Sequence, residues 1–182
     1  MEDLEMQTLI SEIIFRLLNI GENFDYNNYN TYSALSYGLD NYIAKYSLAN
    51  NSYYISNSAL TYVQQNLNND LNNGGLLRRR KKNHTIKYDH AIPVNIVRRR
   101  LIELTDKTPE NINRILAESN YVTILTTEEN IRLNNRGLRQ NMPNNTIWEP
   151  INPFARYIDI QLNEFGNIDN VQQITMRGAI VR

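Results

Sequence analysis

Two short stretches of the chain carry residue types from which a hydrolytic site could be built. In residues 88–93, the carboxylate of Asp89 stands beside the imidazole of His90, just after a strongly basic run. Residues 120–132 combine an apolar segment with amide and carboxylate side chains. Imidazole can accept a proton near pH 7, and carboxylate and amide oxygens suit hard divalent cations. We interpret the two stretches together as a small metal-dependent hydrolytic site.

The residues around these stretches predict the elements that would position them. A strand is expected to end at Asp89-His90, and residues 121–125 form the clearest strand pattern in the chain. Thr126 and Glu129 have the spacing of a capping box, so a helix should begin directly after the second strand. The pattern therefore predicts a strand–strand–helix unit with a long insertion between the strands.

Hydrophobic periodicity assigns much of the remaining chain to helices. Helical patterns cover 3–20, 32–48, 58–71, 94–104 and 108–119, a short strand or turn is expected at 53–55, and strands are expected at 156–162 and 171–176. Gly74-Gly75 is the best candidate boundary. The predicted fold class is α+β. A mainly helical region, residues 1–75, would serve dimerisation or substrate positioning, and the chemical module, residues 76–182, would contain a helical insertion at 94–119 and end in a short β-hairpin.

Composition narrows the classes of protein to consider. The chain has 182 residues, 19 acidic and 19 basic side chains, and no cysteine. The absence of cysteine excludes disulfides and thiolate zinc sites. Zero net charge argues against a protein that coats nucleic acid with its whole surface. The basic residues concentrated in 78–100 and 132–139 could still bind phosphates locally. The N-terminus lacks the pattern of a secretory signal, and polar residues interrupt the apolar run 9–20, so we expect a cytoplasmic protein with no membrane partner.

The motif Asp89-His90-Ala91-Ile92-Pro93, together with Asn120 and Asn130, resembles the motifs of HNH (His-Me finger, ββα-metal) endonucleases. In that family an acid–His pair is followed by a small apolar stretch and often by proline. An asparagine then precedes a strand, and an asparagine or histidine lies early in the next helix. The resemblance covers roughly residues 80–140 and implies that the module is a ββα-metal, HNH-like unit. About thirty residues separate the first two motifs, which is longer than is common in the family.

Many HNH nucleases carry a zinc-binding Cys-x-x-Cys pair just before the last motif. Thr126 and Glu129 occupy those positions here. A capping box can fix the start of the helix in place of zinc, so the resemblance implies no structural zinc.

The resemblance also implies a role for each motif residue. Asp89 and Asn130 would hold a single hard divalent cation, Mg²⁺ or another, through oxygen atoms. His90 would act as the general base that takes a proton from the attacking water. Asn120 would orient His90.

Basic residues near these motifs are expected to contact phosphate. The candidates are Arg78, Arg79, Arg80, Lys81, Lys82, Arg98, Arg99, Arg132 and Arg136. Arg139 and Arg156 lie further along the chain and are expected to pair with acids such as Glu149.

The function that follows from the resemblance is metal-dependent hydrolysis of phosphodiester bonds in DNA, in a restriction or defence setting. Both a homodimer that cuts duplex DNA in two places and a monomeric nickase remain open. The alternatives are a non-catalytic module that binds nucleic acid or another protein, and an RNA-cutting toxin.

Overall fold

The computed structural model describes residues 3–22, 29–48, 52–68, 85–148, 151–175 and 180. Within these ranges the chain forms seven α-helices, two short 3₁₀-helices and a four-stranded sheet, so the α+β class is confirmed. The helices are α1 (Asp3–Glu22), α2 (Tyr29–Leu48), α3 (Asn57–Asn66), α4 (Val94–Ile102), α5 (Pro109–Glu118), α6 (Thr127–Asn135) and α7 (Ala155–Asp159). The strands are β1 (Ser52–Ile55), β2 (Ile86–His90), β3 (Val122–Thr126) and β4 (Gln173–Thr175).

The chain divides into two compact units. One consists of Met1–Asn50 and Ile92–Asn120, and the other of Asn51–Ala91 and Tyr121–Arg182. This division differs from the predicted boundary at Gly74-Gly75, which lies outside the described residues. β1 and α3 belong to the sheet unit because β1 pairs with β3, whereas the predicted insertion belongs with the N-terminal helices. Periodicity within a segment carries no information about such distant pairing.

The helical unit contains α1, α2, α4 and α5. Helix α1 packs against α2 and α5, and α4 also packs against α2 and α5. Its buried apolar side chains are Ile10, Ile14, Leu18, Leu39, Ile43, Tyr46, Val97, Leu101, Ile112, Ile115 and Leu116. The predicted helices at 3–20, 94–104 and 108–119 are confirmed to within two residues at each end, while α2 begins three residues earlier than predicted. Among the described helices, none is both long and apolar enough to cross a membrane.

Polar contacts inside the helical unit join distant parts of the chain. The Asn113 side-chain oxygen accepts hydrogen bonds from the Tyr46 hydroxyl at 2.8 Å and from the Ser11 hydroxyl at 3.1 Å. Thr108 caps α5 by accepting from the Asn111 amide at 3.2 Å, as its position before Pro109 predicts. These contacts fix α5 against α1 and α2.

The sheet has the strand order β2-β3-β1-β4. Strand β2 pairs antiparallel with β3, from Ile86 opposite Thr126 to His90 opposite Val122. Strand β1 runs parallel to β3, and β4 completes the sheet antiparallel to β1. The predicted strands that end at His90 and lie at 121–125 are therefore adjacent, in the arrangement that the sequence predicts.

Each face of the sheet is covered by a separate apolar cluster. One cluster lies under α3 and contains Tyr53, Ile55, Ala59, Val63, Ile86, Val122, Ile124 and Ile174. The other lies under α6 and α7 and contains Ala91, Leu125, Leu133, Leu138, Phe154, Tyr157, Ile160, Leu162, Phe165 and Val171. Successive side chains of a strand point to opposite faces, and β2 follows this rule: Tyr88 packs against the α3 cluster, whereas Ala91 belongs to the α6 cluster.

The predicted C-terminal β-hairpin is wrong. Residues predicted as its first strand, 156–162, instead form most of α7 and the turn that follows it. Phe154, Tyr157 and Ile160 are buried while Ile158 is exposed, so these buried apolar side chains are three residues apart, as on one face of a helix. The predicted second strand, 171–176, contains β4, but β4 pairs with β1.

Candidate active site

Strands β2 and β3 and helix α6 form a continuous ββα unit. Helix α6 begins directly after β3 and contacts both strands. The Thr127 amide donates to the Thr85 carbonyl at 2.7 Å, which fixes the helix start beside the beginning of β2. The predicted capping box is confirmed: Thr126 accepts from the Glu129 amide, and the Glu129 carboxylate accepts from the Thr126 amide.

Asp89 faces the side of the sheet that α6 and α7 cover. Its cross-strand neighbour is Thr123, which is fully buried. The Tyr157 hydroxyl donates to Asp89 Oδ2 at 2.7 Å, and Arg156 Nη1 lies 3.2 Å from the same oxygen. Burial, followed by the negative charge of Asp89, raises the pKa of Tyr157 well above its usual value, so the hydroxyl stays protonated and remains a donor.

Arg156 binds the backbone carbonyls of the motif histidine and of the residue that follows it. Its side chain is only 1% exposed, and Nη1 donates to the carbonyls of His90 at 2.7 Å and Ala91 at 3.3 Å. Its guanidinium carbon lies 5.8 Å from the centre of the Tyr157 ring. Nε and Nη2 are buried without a hydrogen-bond partner in the described part of the chain.

The structure corrects the expected partner of Arg156. Sequence reasoning proposed an acid such as Glu149, which lies outside the described residues, whereas Arg156 pairs with Asp89. Tyr157 was also missed as a contact of the motif. The two partners are 66–68 residues away from the motif along the chain, and no local pattern in the sequence indicates the pairing.

His90 faces the opposite side of the sheet from Asp89. It is the last residue of β2, and its ring meets the Tyr88 ring edge-on with centroids 6.3 Å apart. Burial lowers the pKa of His90, against the opposing effect of the Asp89 charge. The imidazole is therefore neutral near pH 7, the form that can accept a proton. The structure does not bring Asp89 and His90 to one face.

The two motif asparagines lie in different units. Asn130 is the fourth residue of α6, next to Glu129, and is half-buried in the sheet unit. Asn120 is the last residue of the helical unit, and its backbone amide donates to the Ala117 carbonyl at 3.3 Å beyond the end of α5. The expected role of Asn120 toward His90 stays a prediction.

The donor set for a cation consists of oxygen atoms. Both contacts to the Asp89 carboxylate use Oδ2, and Oδ1 receives neither a hydrogen bond nor an ion pair from the described residues. Asn130, which carries an amide oxygen, lies on the helix that covers the same face. Across the described ranges, no group of three or more histidine, aspartate or glutamate side chains is placed to hold a metal ion.

No protein-family model, curated protein or solved structure matches this chain.

Two of the predicted phosphate contacts line a small cavity. Arg132, in the last turn of α6, and Arg136, the residue after the helix, border a space of about 270 Å³ with Asn135, Asp159 and Gln161. Arg132 Nη1 donates to the Ile160 carbonyl at 3.0 Å, which holds that guanidinium at the rim.

The other predicted phosphate contacts are placed differently. Arg98 forms an ion pair with Asp40 inside the helical unit, and Arg99 is exposed on α4. The basic run 78–82 lies outside the described residues.

Proposed function

We propose that the chain is a metal-dependent endonuclease that hydrolyses phosphodiester bonds of DNA, with Mg²⁺ as its cation. The observation that carries the proposal is the ββα unit: Asp89 near the end of β2 lies on the sheet face covered by α6, the helix that bears Asn130. This is the order of elements that the resemblance to HNH nucleases implies. The neutral state of His90 also supports the proposal, because a general base must be unprotonated before it reacts.

The available oxygen atoms fit a hard divalent cation that keeps most of its waters. Mg²⁺ is commonly bound by one or two protein oxygens, with water and phosphate completing its shell. Asp89 Oδ1 and the side-chain oxygen of Asn130 would supply those ligands. When bound, the cation neutralises charge on the scissile phosphate and stabilises the departing oxygen.

The opposed directions of Asp89 and His90 constrain where the DNA would lie. Strand β2 is first in the strand order, so its outer edge is not paired with another strand in the described part of the chain. Side chains from both faces of an outermost strand border the same edge. A phosphodiester along the β2 edge would meet Asp89 on one side and His90 on the other. His90 would take the proton of a water whose oxygen attacks phosphorus as the P–O bond to the leaving group breaks.

A plasmid cleavage assay tests this proposal. Supercoiled plasmid is incubated with Mg²⁺ or with EDTA and with the wild type, His90→Ala or Asn130→Ala. We expect metal-dependent cutting by the wild type and a rate at least about 100-fold lower in His90→Ala, the usual contribution of a general base. Linear product formed without a nicked intermediate would indicate a dimer, and nicked circles would indicate a monomer.

Asn134→Ala is the matched control for Asn130→Ala. It removes an exposed asparagine one turn further along α6 and should cut at the wild-type rate. Intact plasmid in every reaction, or wild-type cutting by His90→Ala, would overturn the proposal. Cutting of an RNA substrate but not of DNA would replace DNA with RNA as the substrate.

A second candidate function, non-catalytic binding to nucleic acid, is favoured by the cavity between Arg132 and Arg136. Two guanidinium groups with neighbouring amides can hold a phosphate without any reaction. Binding that is weakened by Arg136→Ala and unchanged by His90→Ala, with no cutting by any variant, would support this function instead.

A further inference from the structure

We propose that Arg156 and Tyr157 are positioning residues, which hold Asp89 and the backbone of His90 and Ala91 as one rigid segment for cation binding. The role of this segment in catalysis rests on the proposed function. We call the hydrogen bonds from Arg156 and Tyr157 to residues 89–91 the clamp. The clamp can exist without catalysis, and it is therefore measured separately.

Two adjacent residues of one short helix bind the Asp89 side chain and the backbone that follows it. Tyr157 donates to the Asp89 carboxylate at 2.7 Å, and Arg156 donates to the two carbonyls that follow it. Both clamp residues are at most 1% exposed, and the Tyr157 ring packs against the rings of Phe154 and Phe165. The side chains that orient Asp89 are therefore themselves fixed by packing.

The two carboxylate oxygens of Asp89 differ in their contacts. Oδ2 is occupied by Tyr157 and Arg156, while Oδ1 has neither a hydrogen bond nor an ion pair with the described residues. A carboxylate that is held through one oxygen presents the other in a fixed direction. Residues that hydrogen-bond to a metal ligand typically change metal affinity or activity by about 10–100-fold when they are removed.

The test compares Tyr157→Phe with Tyr46→Phe in the full chain. Each variant loses one hydroxyl, with a hydrogen bond of 2.7 Å in the first and 2.8 Å in the second, from a buried tyrosine. Tyr46 lies in the helical unit, and its hydroxyl donates to Asn113 instead of Asp89. Plasmid cleavage is measured against Mg²⁺ concentration, and backbone amide hydrogen exchange is measured at residues 89–91 in the absence of metal.

For Tyr157→Phe we expect the Mg²⁺ concentration at half-maximal rate to rise about tenfold or more. We also expect exchange at 89–91 to accelerate about tenfold, which corresponds to the loss of one buried hydrogen bond to a charged group. Tyr46→Phe should match the wild type in both measurements. An unchanged Mg²⁺ dependence in Tyr157→Phe, or the same change in both variants, would overturn the inference.

The two proposals can fail separately. If the wild type does not cut plasmid, the proposed function fails and the exchange measurement alone decides about the clamp. Faster exchange in Tyr157→Phe only would then support a clamp that serves another role of the segment. Unchanged exchange would overturn the clamp as well.

Discussion

The hydroxyl of Ser56 donates a 2.7 Å hydrogen bond to the carboxylate of Glu129, 73 residues further along the chain. Ser56 also caps α3 by accepting from the Ala59 amide, and Glu129 belongs to the capping box of α6. The starts of two helices on opposite faces of the sheet are therefore joined by one buried contact. This contact fixes α6, and with it Asn130, relative to the end of β1.

Ser56→Ala should destabilise the protein more than the loss of an ordinary helix cap. The substitution removes the α3 cap and one donor to the buried Glu129 carboxylate, with an expected cost of about 3 kcal/mol in the free energy of unfolding. Thr108→Ala removes only the cap of α5 and should cost about 1 kcal/mol. Urea unfolding of both variants measures the difference. Equal costs would show that the bond to Glu129 contributes nothing.

Asp89→Ala should be strongly destabilising, because it leaves the charge of the buried Arg156 without its partner. Breaking a buried ion pair from one side costs about 3–5 kcal/mol. The control is Asp40→Ala, which breaks the more exposed pair with Arg98 and should cost about 1 kcal/mol or less. Thermal unfolding compares the two. A small effect of Asp89→Ala would mean that water or another group compensates Arg156.

His90 should make the protein less stable in acid. Its pKa is lowered in the folded state, so the unfolded chain binds more protons at pH values just below the ordinary histidine value of 6.5. The contribution of His90 to stability is therefore complete above pH 6.5 and is lost as the pH falls toward the folded pKa. Between pH 7.5 and pH 5, the urea midpoint of the wild type should fall further than that of His90→Gln. Parallel curves for the two proteins would contradict the burial effect.

Arg136→Ala should reduce the salt dependence of DNA binding. Each phosphate contact contributes about −0.9 to the slope of log K against log salt concentration. Loss of one contact should therefore make the slope about 0.9 less negative, as measured by fluorescence anisotropy with a labelled duplex. Arg114→Ala is the control, because Arg114 is exposed in the helical unit and pairs with Glu118. The same slope in both variants would remove Arg136 from the DNA contacts.

Local patterns in the sequence were sufficient for most helices and for the ββα unit. The capping box at Thr126 and Glu129 and the Thr108-Pro109 helix start are short-range signals, and both elements begin where these residues indicate. The strand pattern of residues 121–125 likewise predicted a strand that the structure contains with a shift of one residue. Each signal acts within a few residues of the element that it predicts.

The failures all concern contacts between distant segments. Residues 156–162 alternate as a strand would, but their burial depends on Phe154 and on the cluster under α6. The opposed directions of Asp89 and His90 follow from strand geometry alone, whereas the face that each residue takes depends on the register of β2 against β3. The ion pair of Arg156 with Asp89 depends on the packing of α7 for the same reason.

The order of strands in the sheet has a consequence for synthesis of the protein. Strand β1 lies between β3 and β4, so its two neighbours leave the ribosome about 70 and 120 residues after it does. Until β3 is made, both edges of β1 expose unpaired backbone groups to other chains, and one edge stays exposed until β4 is made. Such exposed edges are a known source of aggregation. A premature stop codon before Gln173 would leave one edge open permanently. We therefore expect such truncated products to collect in inclusion bodies even when every residue of the candidate site is present.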